Sequence, residues 1–308
     1  MKAGSLKIGS RGSPLALTQA RAVADMLGLG EDAVQAFMTS GDRIQGRLQE
    51  AGGKGLFTKE LDEALLDGRI DCAVHSMKDL PTRLPPGIVL AAVPAREDPR
   101  DGFIALNAKT PADLPRGATV GTASLRRQAQ TLHLRPDLKV DLLRGRVETR
   151  LARIESGAFD ATYLALAGLK RLGLARHAAS IVDVAIMPPA PAQGALAVTA
   201  RAGDAATLAR LKPLDIEEFA IATAAERAFL AALDGSCRTP IAALARIAGG
   251  RLHFIGEVLT PDGRHRWRRE DDSAATMDAA LTLGARLGAA VRAEAGPLYS
   301  AHFGDSGW

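Results

Sequence analysis

Asp71-Cys72-Ala73-Val74-His75-Ser76-Met77-Lys78-Asp79-Leu80-Pro81 is a short apolar strand that runs into a polar corner, where a proline stops it. Asp79 stands in that corner. It fits a loop carboxylate that caps the next turn or pairs with Lys78. It also fits a reactive carboxylate in a cleft otherwise lined by cations. Arg11, Lys54, Lys59, Arg126, Arg127, Arg144, Arg146, Arg150 and Arg171 fall near glycines and strand ends, where binding residues concentrate. Many cations around one carboxylate describe a cleft for an acidic small molecule.

The elements before this stretch repeat after it. Residues 6–8 read as a strand, Gly9 and Ser10 as a turn, Ser13 as an N-cap and Pro14 as a first helical residue. Leu17, Ala20, Ala24 and Leu27 then recur at helical spacing, and Gly28 closes the helix. Arg11 and Ser13 therefore stand at a helix N-terminus that follows a strand, a corner suited to anions. Residues 34–39 read as a second strand. Residues 41–55 read as a polar, glycine-rich lid loop carrying Lys54, without P-loop spacing. A helix with Phe57, Leu61, Ala64 and Leu65 on one face ends at Gly68. Gly68-Arg69-Ile70-Asp71 before one strand matches Gly157-Ala158-Phe159-Asp160 before another. Ile8-Gly9-Ser10 matches Val120-Gly121-Thr122. This predicts two α/β domains of one plan.

The second half begins with the charged crossing Glu97-Asp98-Pro99-Arg100-Asp101. Thr122 or Ser124 caps the next helix and puts Arg126 and Arg127 in its first turn. Cations there oppose the helix dipole at about 0.3–1 kcal/mol each. A docked anion would offset that; two solvated arginines would simply bear it. Residues 140–143 form a strand, and Arg144, Gly145, Arg146 and Arg150 gather at the start of the following helix. Residues 160–166 form another strand. The proline run at 188–191 then reads as a crossing segment, and residues 196–199 as a strand returning to the first sheet. Such a double crossover makes a hinge. From Pro213 a long alanine-rich helix, three strands joined by tight turns and a last helix predict a separate α+β domain with a three-stranded antiparallel sheet. The expected division is 1–96 with 192–212, then 97–191, then 213–308.

With 308 residues, 47% hydrophobic and 24% charged, the chain has ordinary globular composition and room for three domains. A net charge of +4 suits an acidic partner, while 4% aromatic content argues against a base-stacking surface. Two cysteines cannot build a disulfide framework. No signal-peptide run and no membrane-length apolar stretch is visible, so the expectation is a cytoplasmic monomer that binds neither nucleic acid nor membrane. No metal signature, nucleophile elbow or dinucleotide fingerprint occurs. Cys72 reads as a core residue, and Cys237 sits in a tight loop after a helix, its role open. A solute-binding protein would share the two-lobed plan, but the third domain and the absent signal peptide argue against it. The residues alone stop at a two-lobed α/β protein that binds an acidic small molecule.

A resemblance goes further. Arg11-Gly12-Ser13-Pro14-Leu15-Ala16, Gly52-Gly53-Lys54-Gly55-Leu56-Phe57, His75-Ser76-Met77-Lys78-Asp79-Leu80-Pro81 and Gly121-Thr122-Ala123-Ser124-Leu125-Arg126-Arg127-Gln128 resemble the porphobilinogen deaminase (hydroxymethylbilane synthase) family. So do Glu97-Asp98-Pro99-Arg100-Asp101, Leu143-Arg144-Gly145, Ala167-Gly168-Leu169-Lys170-Arg171-Leu172-Gly173, Gln193-Gly194-Ala195 and Cys237. The resemblance runs in order through nearly the whole chain. It implies two domains like type II periplasmic binding proteins, plus a third that holds a dipyrromethane cofactor by a thioether, here on Cys237. It implies a transferase of tetrapyrrole and haem biosynthesis that joins four porphobilinogen units with loss of ammonia and releases hydroxymethylbilane. Each pyrrole carries an acetate and a propionate, so six rings would bring about twelve carboxylates into one cleft, a density that calls for guanidinium partners. The implied site is catalytic Asp79 with Arg11, Ser13, Lys54, Lys59, His75, Ser76, Lys78, Thr122, Ser124, Arg126, Arg127, Arg144, Gly145, Arg150, Arg171 and Gln193 as binding residues, and no metal. Ala123, Arg146, Glu148, Ala192 and Ser236 depart from the family's expected residues, which puts ligand roles for Arg146 and Glu148 in doubt.

Overall fold

The structure is a computed structural model that describes residues 6–43, 55–235 and 239–303. Lys54 and Cys237 lie outside the described residues.

The first lobe opens with β1 (Ile8–Arg11), α1 (Pro14–Met26), β2 (Val34–Phe37), α2 (Ser40–Arg43), α3 (Lys59–Leu66), β3 (Cys72–Ser76) and β4 (Ile88–Ala92). The chain then crosses. The second lobe holds β5 (Asp101–Ala105), β6 (Thr119–Gly121), α4 (Leu125–Leu134), β7 (Lys139–Asp141), α5 (Val147–Glu155), β8 (Ala161–Ala165), α6 (Leu166–Arg171) and β9 (Ser180–Ile181). It crosses back into β10 (Leu196–Arg201) and α7 (Ala205–Leu211). The third unit is α8 (Glu217–Ala232), β11 (Ile241–Ala248), β12 (Arg251–Leu259), β13 (Arg266–Ala274) and α9 (Met277–Phe303).

The two lobes are built alike. Their sheets run β2-β1-β3-β10-β4 and β7-β6-β8-β5-β9. In each, the strand in fourth place comes from across the hinge and runs antiparallel to its neighbours. The repeated glycine and aspartate seen in the sequence do the same work twice. Gly68 and Gly157 take left-handed φ values of 70° and 72°, which glycine adopts without a Cβ penalty. Asp71 accepts the Lys7 N–H at 2.8 Å, and Asp160 accepts the Thr119 N–H at 2.7 Å. Each carboxylate clips its own strand to the start of the central parallel strand. β3 is buried through Cys72, Ala73, Val74 and His75, which is why it reads as a continuous apolar run rather than an alternating one.

One local reading differs from the structure, and two helix ends have unusual backbone. β1 continues through Gly9 and Ser10 to Arg11 instead of turning at Gly9. The long helix α8 is closed by Asp234 in the left-handed region at φ 48°. The first stretch of the last helix breaks at Gly296, at φ 50°, and Pro297 begins a further helical segment, a position where its missing N–H costs nothing.

The two crossovers meet each other. Gly194, at φ 90°, lies so close to the Glu97 carbonyl that a Cβ there would overlap it. The third unit is tied to this junction. Glu226 on α8 is fully buried and pairs with Arg96 at 2.6 Å. It also accepts the N–H groups of Ala192 and Ala245 at 2.5 and 2.8 Å. One carboxylate thus joins both crossovers to α8 and β11. Arg227 of α8 donates to the carbonyls of Pro81 and Thr82 just beyond the Asp79 corner.

Candidate active site

The first lobe presents an open pocket lined by residues that include Arg11, Ser13, Gln19, Phe57, Thr58, His75, Ser76 and Asp79. Its walls follow from local rules. Ser13 caps α1 by accepting the Ala16 N–H at 3.3 Å, with Pro14 at the first helical position. Arg11 ends β1, its guanidinium 4.3 Å from the centre of the Phe57 ring, a cation–π contact. Its Nη1 is 3.8 Å from Asp79 Oδ2, and both side chains remain partly exposed at 22% and 32%. Asp79 ends the single helical turn that follows β3. Ser76 exchanges hydrogen bonds with Gln19 at 2.9 and 3.1 Å. His75 is buried and bonds Thr199 at 3.1 Å. Burial, then the nearby Arg11 charge, holds its pKa down to about 4.

The second lobe presents its cations at strand ends. Ser124 caps α4, accepting from the Arg127 N–H, and Thr122 Oγ1 accepts the Ser124 N–H at 3.1 Å. Arg126 and Arg127 do not extend into solvent. Both are buried and share one carboxylate, Asp101, at 2.9 and 2.8 Å. The sequence reading asked for a docked anion or for solvated arginines; the protein's own Asp101 supplies the counter-charge instead. Asp101 is held far below the usual carboxylate range by Arg126 and Arg127, which outweigh the upward push of its burial.

Gln193 joins the lobes. It is 1% exposed, with both ends of its amide engaged inside the protein. Its amide nitrogen donates to Asp101 at 2.8 Å and to the Pro99 carbonyl at 2.8 Å. Its oxygen accepts from Lys78 Nζ at 3.3 Å. Burial pushes the Lys78 pKa down to about 8, against the pull of Asp79. Arg150 donates to the Gly145 carbonyl at 2.9 Å. Its pKa is lowered to about 10 by burial and by the neighbouring Arg127 and Arg144 charges. Gly145 sits at φ 118°, a conformation that glycine supplies. Arg171 donates to the Gly194 carbonyl at 2.9 Å.

Two expected residues fall differently. Lys59 begins α3 with an exposed side chain 4.0 Å from Glu63, so it stands outside the pocket lining, one residue past Thr58. Arg146 is the exposed N-cap residue of α5 and makes no side-chain cap. Sequence reading missed Gln19, Phe57, Thr58 and Asp101. Gln19 could have been found as a polar residue on the apolar face of α1. Asp101 had no distinguishing signal within its charged run.

Two similar lobes, a double-crossover hinge and a pocket that sets the partly exposed Asp79 beside Arg11 define a two-lobed α/β protein with a carboxylate placed for acid–base or electrostatic chemistry. A family model described as "Porphobilinogen deaminase, dipyromethane cofactor binding domain" matches residues 6–209, and that family's C-terminal domain matches residues 220–293. The porphobilinogen deaminase of Caulobacter sp. (strain K31) is 54% identical over 308 residues, 95% of this chain and 96% of its own. That of Phenylobacterium zucineum (strain HLK1) is 51% identical over 310 residues, covering 94% and 97%. The chain belongs to the porphobilinogen deaminase family. Among solved structures, the periplasmic aliphatic sulphonate binding protein of Escherichia coli aligns with 73% of this chain and 69% of its own at 17% identity and a TM-score of 0.41, too partial a likeness to add to the strand orders.

Proposed function

We propose that this chain joins four porphobilinogen units head to tail, losing ammonia at each addition, and then releases linear hydroxymethylbilane by hydrolysis. The observation that carries this reading is Asp79: a partly exposed carboxylate beside Arg11 in a pocket otherwise lined by neutral side chains.

In each addition the substrate's methylene–nitrogen bond breaks and a methylene–carbon bond forms to the free α-carbon of the growing chain. That carbon gives up its proton, and the amine leaves as ammonia. As the amine departs, positive charge spreads onto the substrate's pyrrole nitrogen. Asp79 is the fixed counter-charge for it, and it stands where it can receive the released proton. Arg11 holds the Asp79 carboxylate in place and adds a guanidinium for a substrate carboxylate. His75 stays neutral near pH 7 and buttresses the strand.

The donor set fits a dipyrromethane, whose two rings carry four carboxylates. Burial, and then the nearby Arg127 and Arg144 charges, depress the Arg150 pKa, and a polyanion relieves that clustering of like charge. We assign Arg11, Lys78, Arg127, Arg144, Arg150 and Arg171 to the carboxylates, Ser13, Ser76, Thr122 and Ser124 to hydrogen bonding, and Cys237 to the thioether. When bound, the dipyrromethane supplies the free pyrrole α-carbon from which chain growth starts. The domain division 1–96 with 192–212, 97–191 and 213–308, a monomer and a cytoplasmic setting complete the proposal. Among the described residues no helix is long and apolar enough to cross a membrane.

The test is intact mass with peptide mapping, followed by incubation with porphobilinogen. The expected result is a mass excess of two linked pyrrole units on Cys237 and formation of ammonia with hydroxymethylbilane. No turnover, together with no mass gain at Cys237 from added porphobilinogen, overturns the reading.

A further inference from the structure

Asp101 opens β5 immediately after the first crossover, and its side chain is wholly buried. It accepts from Arg126 Nη2 at 2.9 Å, from Arg127 Nε and Nη2 at 3.2 and 2.8 Å, and from Gln193 Nε2 at 2.8 Å. The far end of the Gln193 amide accepts from Lys78 at 3.3 Å. Lys78 belongs to the first lobe, the arginines to the second and Gln193 to the returning crossover. We infer that Asp101 is a positioning residue: directly for Arg126 and Arg127, and through Gln193 for Lys78, one buried carboxylate sets the spacing of the cations that both lobes turn toward an acidic substrate.

Charge balance supports this. Two guanidinium groups and one carboxylate leave one net positive charge beside the Lys78 ammonium. Of the ionic groups acting on Lys78, Asp79 and Asp101 favour its charged form, while Arg126 and Arg127 oppose it. Without Asp101, three cations would share this junction, with the partly exposed Asp79 acting on Lys78 and the buried Glu257 acting on Arg126. A carboxylate kept solely for stability would need no link to Lys78. Here a glutamine with 1% exposure is spent on that link. The inference rests on the deaminase reading for its substrate, but not for its geometry.

The experiment is competitive acetylation of the whole protein with acetic anhydride across pH, the labelling of each lysine read by peptide mapping. In the unaltered protein the Lys78 midpoint is expected near 8. In Asp101→Asn it should fall by about one pH unit, as expected for loss of one nearby charge. Because that variant can also lose its fold, Gln193→Met is the second arm. It keeps both arginine pairs, and its Lys78 midpoint should fall by a smaller amount. Its KM for porphobilinogen should rise about tenfold while kcat stays within about threefold. Unmoved Lys78 midpoints in folded variants would mean that Asp101 and Gln193 only stabilise the hinge, and the assignment would be overturned. If the unaltered protein turns over no porphobilinogen, the deaminase reading fails while the labelling midpoints still decide the role of Asp101.

Discussion

Asp79 and Lys78 are neighbours in sequence but are held differently: one faces the pocket beside Arg11, the other is tied back to Gln193. Asp79→Asn keeps the shape and removes the charge. Turnover should fall at least about a hundredfold, with the melting temperature nearly unchanged; near-normal turnover in a continuous assay of hydroxymethylbilane would rule out its role. Lys78 is a cation below about pH 8 and neutral above it, so carboxylate binding should weaken as pH rises through that value. The profile of kcat/KM should show an alkaline limb near 8, and Lys78→Arg should displace it. For folding the sign is opposite: the unfolded chain, with the ordinary lysine value of 10.5, binds the proton more readily, so this side chain's contribution to stability increases between about 8 and 10.5. Cys72 is fully buried, and burial pushes its thiol to about 12. Iodoacetamide should leave it unlabelled in the native protein and modify it after denaturation, as peptide mapping will show. At this scale the cations were legible because they sit beside glycines and strand ends. The burial of Arg126 and Arg127 on Asp101 was not, because a pairing across 25 residues leaves no periodic trace.

The elements themselves were largely legible. Ser13-Pro14 and Ser124 start helices where capping chemistry says they should, and the Gly–x–x–Asp echo corresponds to a matching pair of backbone clips. The ends were less so: β1 outruns its glycine, and α9 resumes after Gly296. Close packing of helices was also hidden. Gly284 and Gly288 of α9 face α8, and a Cβ on Gly284 would overlap the Ala225 carbonyl. Gly284→Ala gains about 0.5–1 kcal/mol of helix propensity but must push a backbone away. Overpacking costs about 1–3 kcal/mol, so the variant should be destabilised, with a lower denaturant midpoint. A raised midpoint would show that the two helices can separate at little cost.

For the whole molecule, Glu226 is the joint. It is buried, and Arg96, Ala192 and Ala245 all depend on it. Glu226→Gln leaves the Arg96 charge buried without its partner, which costs about 3–5 kcal/mol. The expected outcome is a large drop in unfolding free energy, with faster hydrogen exchange at residues 93–97 and 189–195. Unchanged exchange there would mean that the third unit does not brace the hinge. The two-lobed plan with its double crossover could be read from the sequence, because repeats and proline runs mark it. This three-way joint could not, since Arg96 lies 130 residues from Glu226 and the other two partners are backbone N–H groups that carry no side-chain signal.

The exchange of strands between the lobes also sets an order of assembly. β10 lies between β3 and β4, yet leaves the ribosome about a hundred residues after them. Until then the first lobe exposes two unpaired strand edges, while β5 to β9 of the second lobe are already all made. The later half of this cleft therefore closes before the earlier half, and the carboxylate of Asp79 gains its settled surroundings only when the returning crossover brings Gln193 to Lys78.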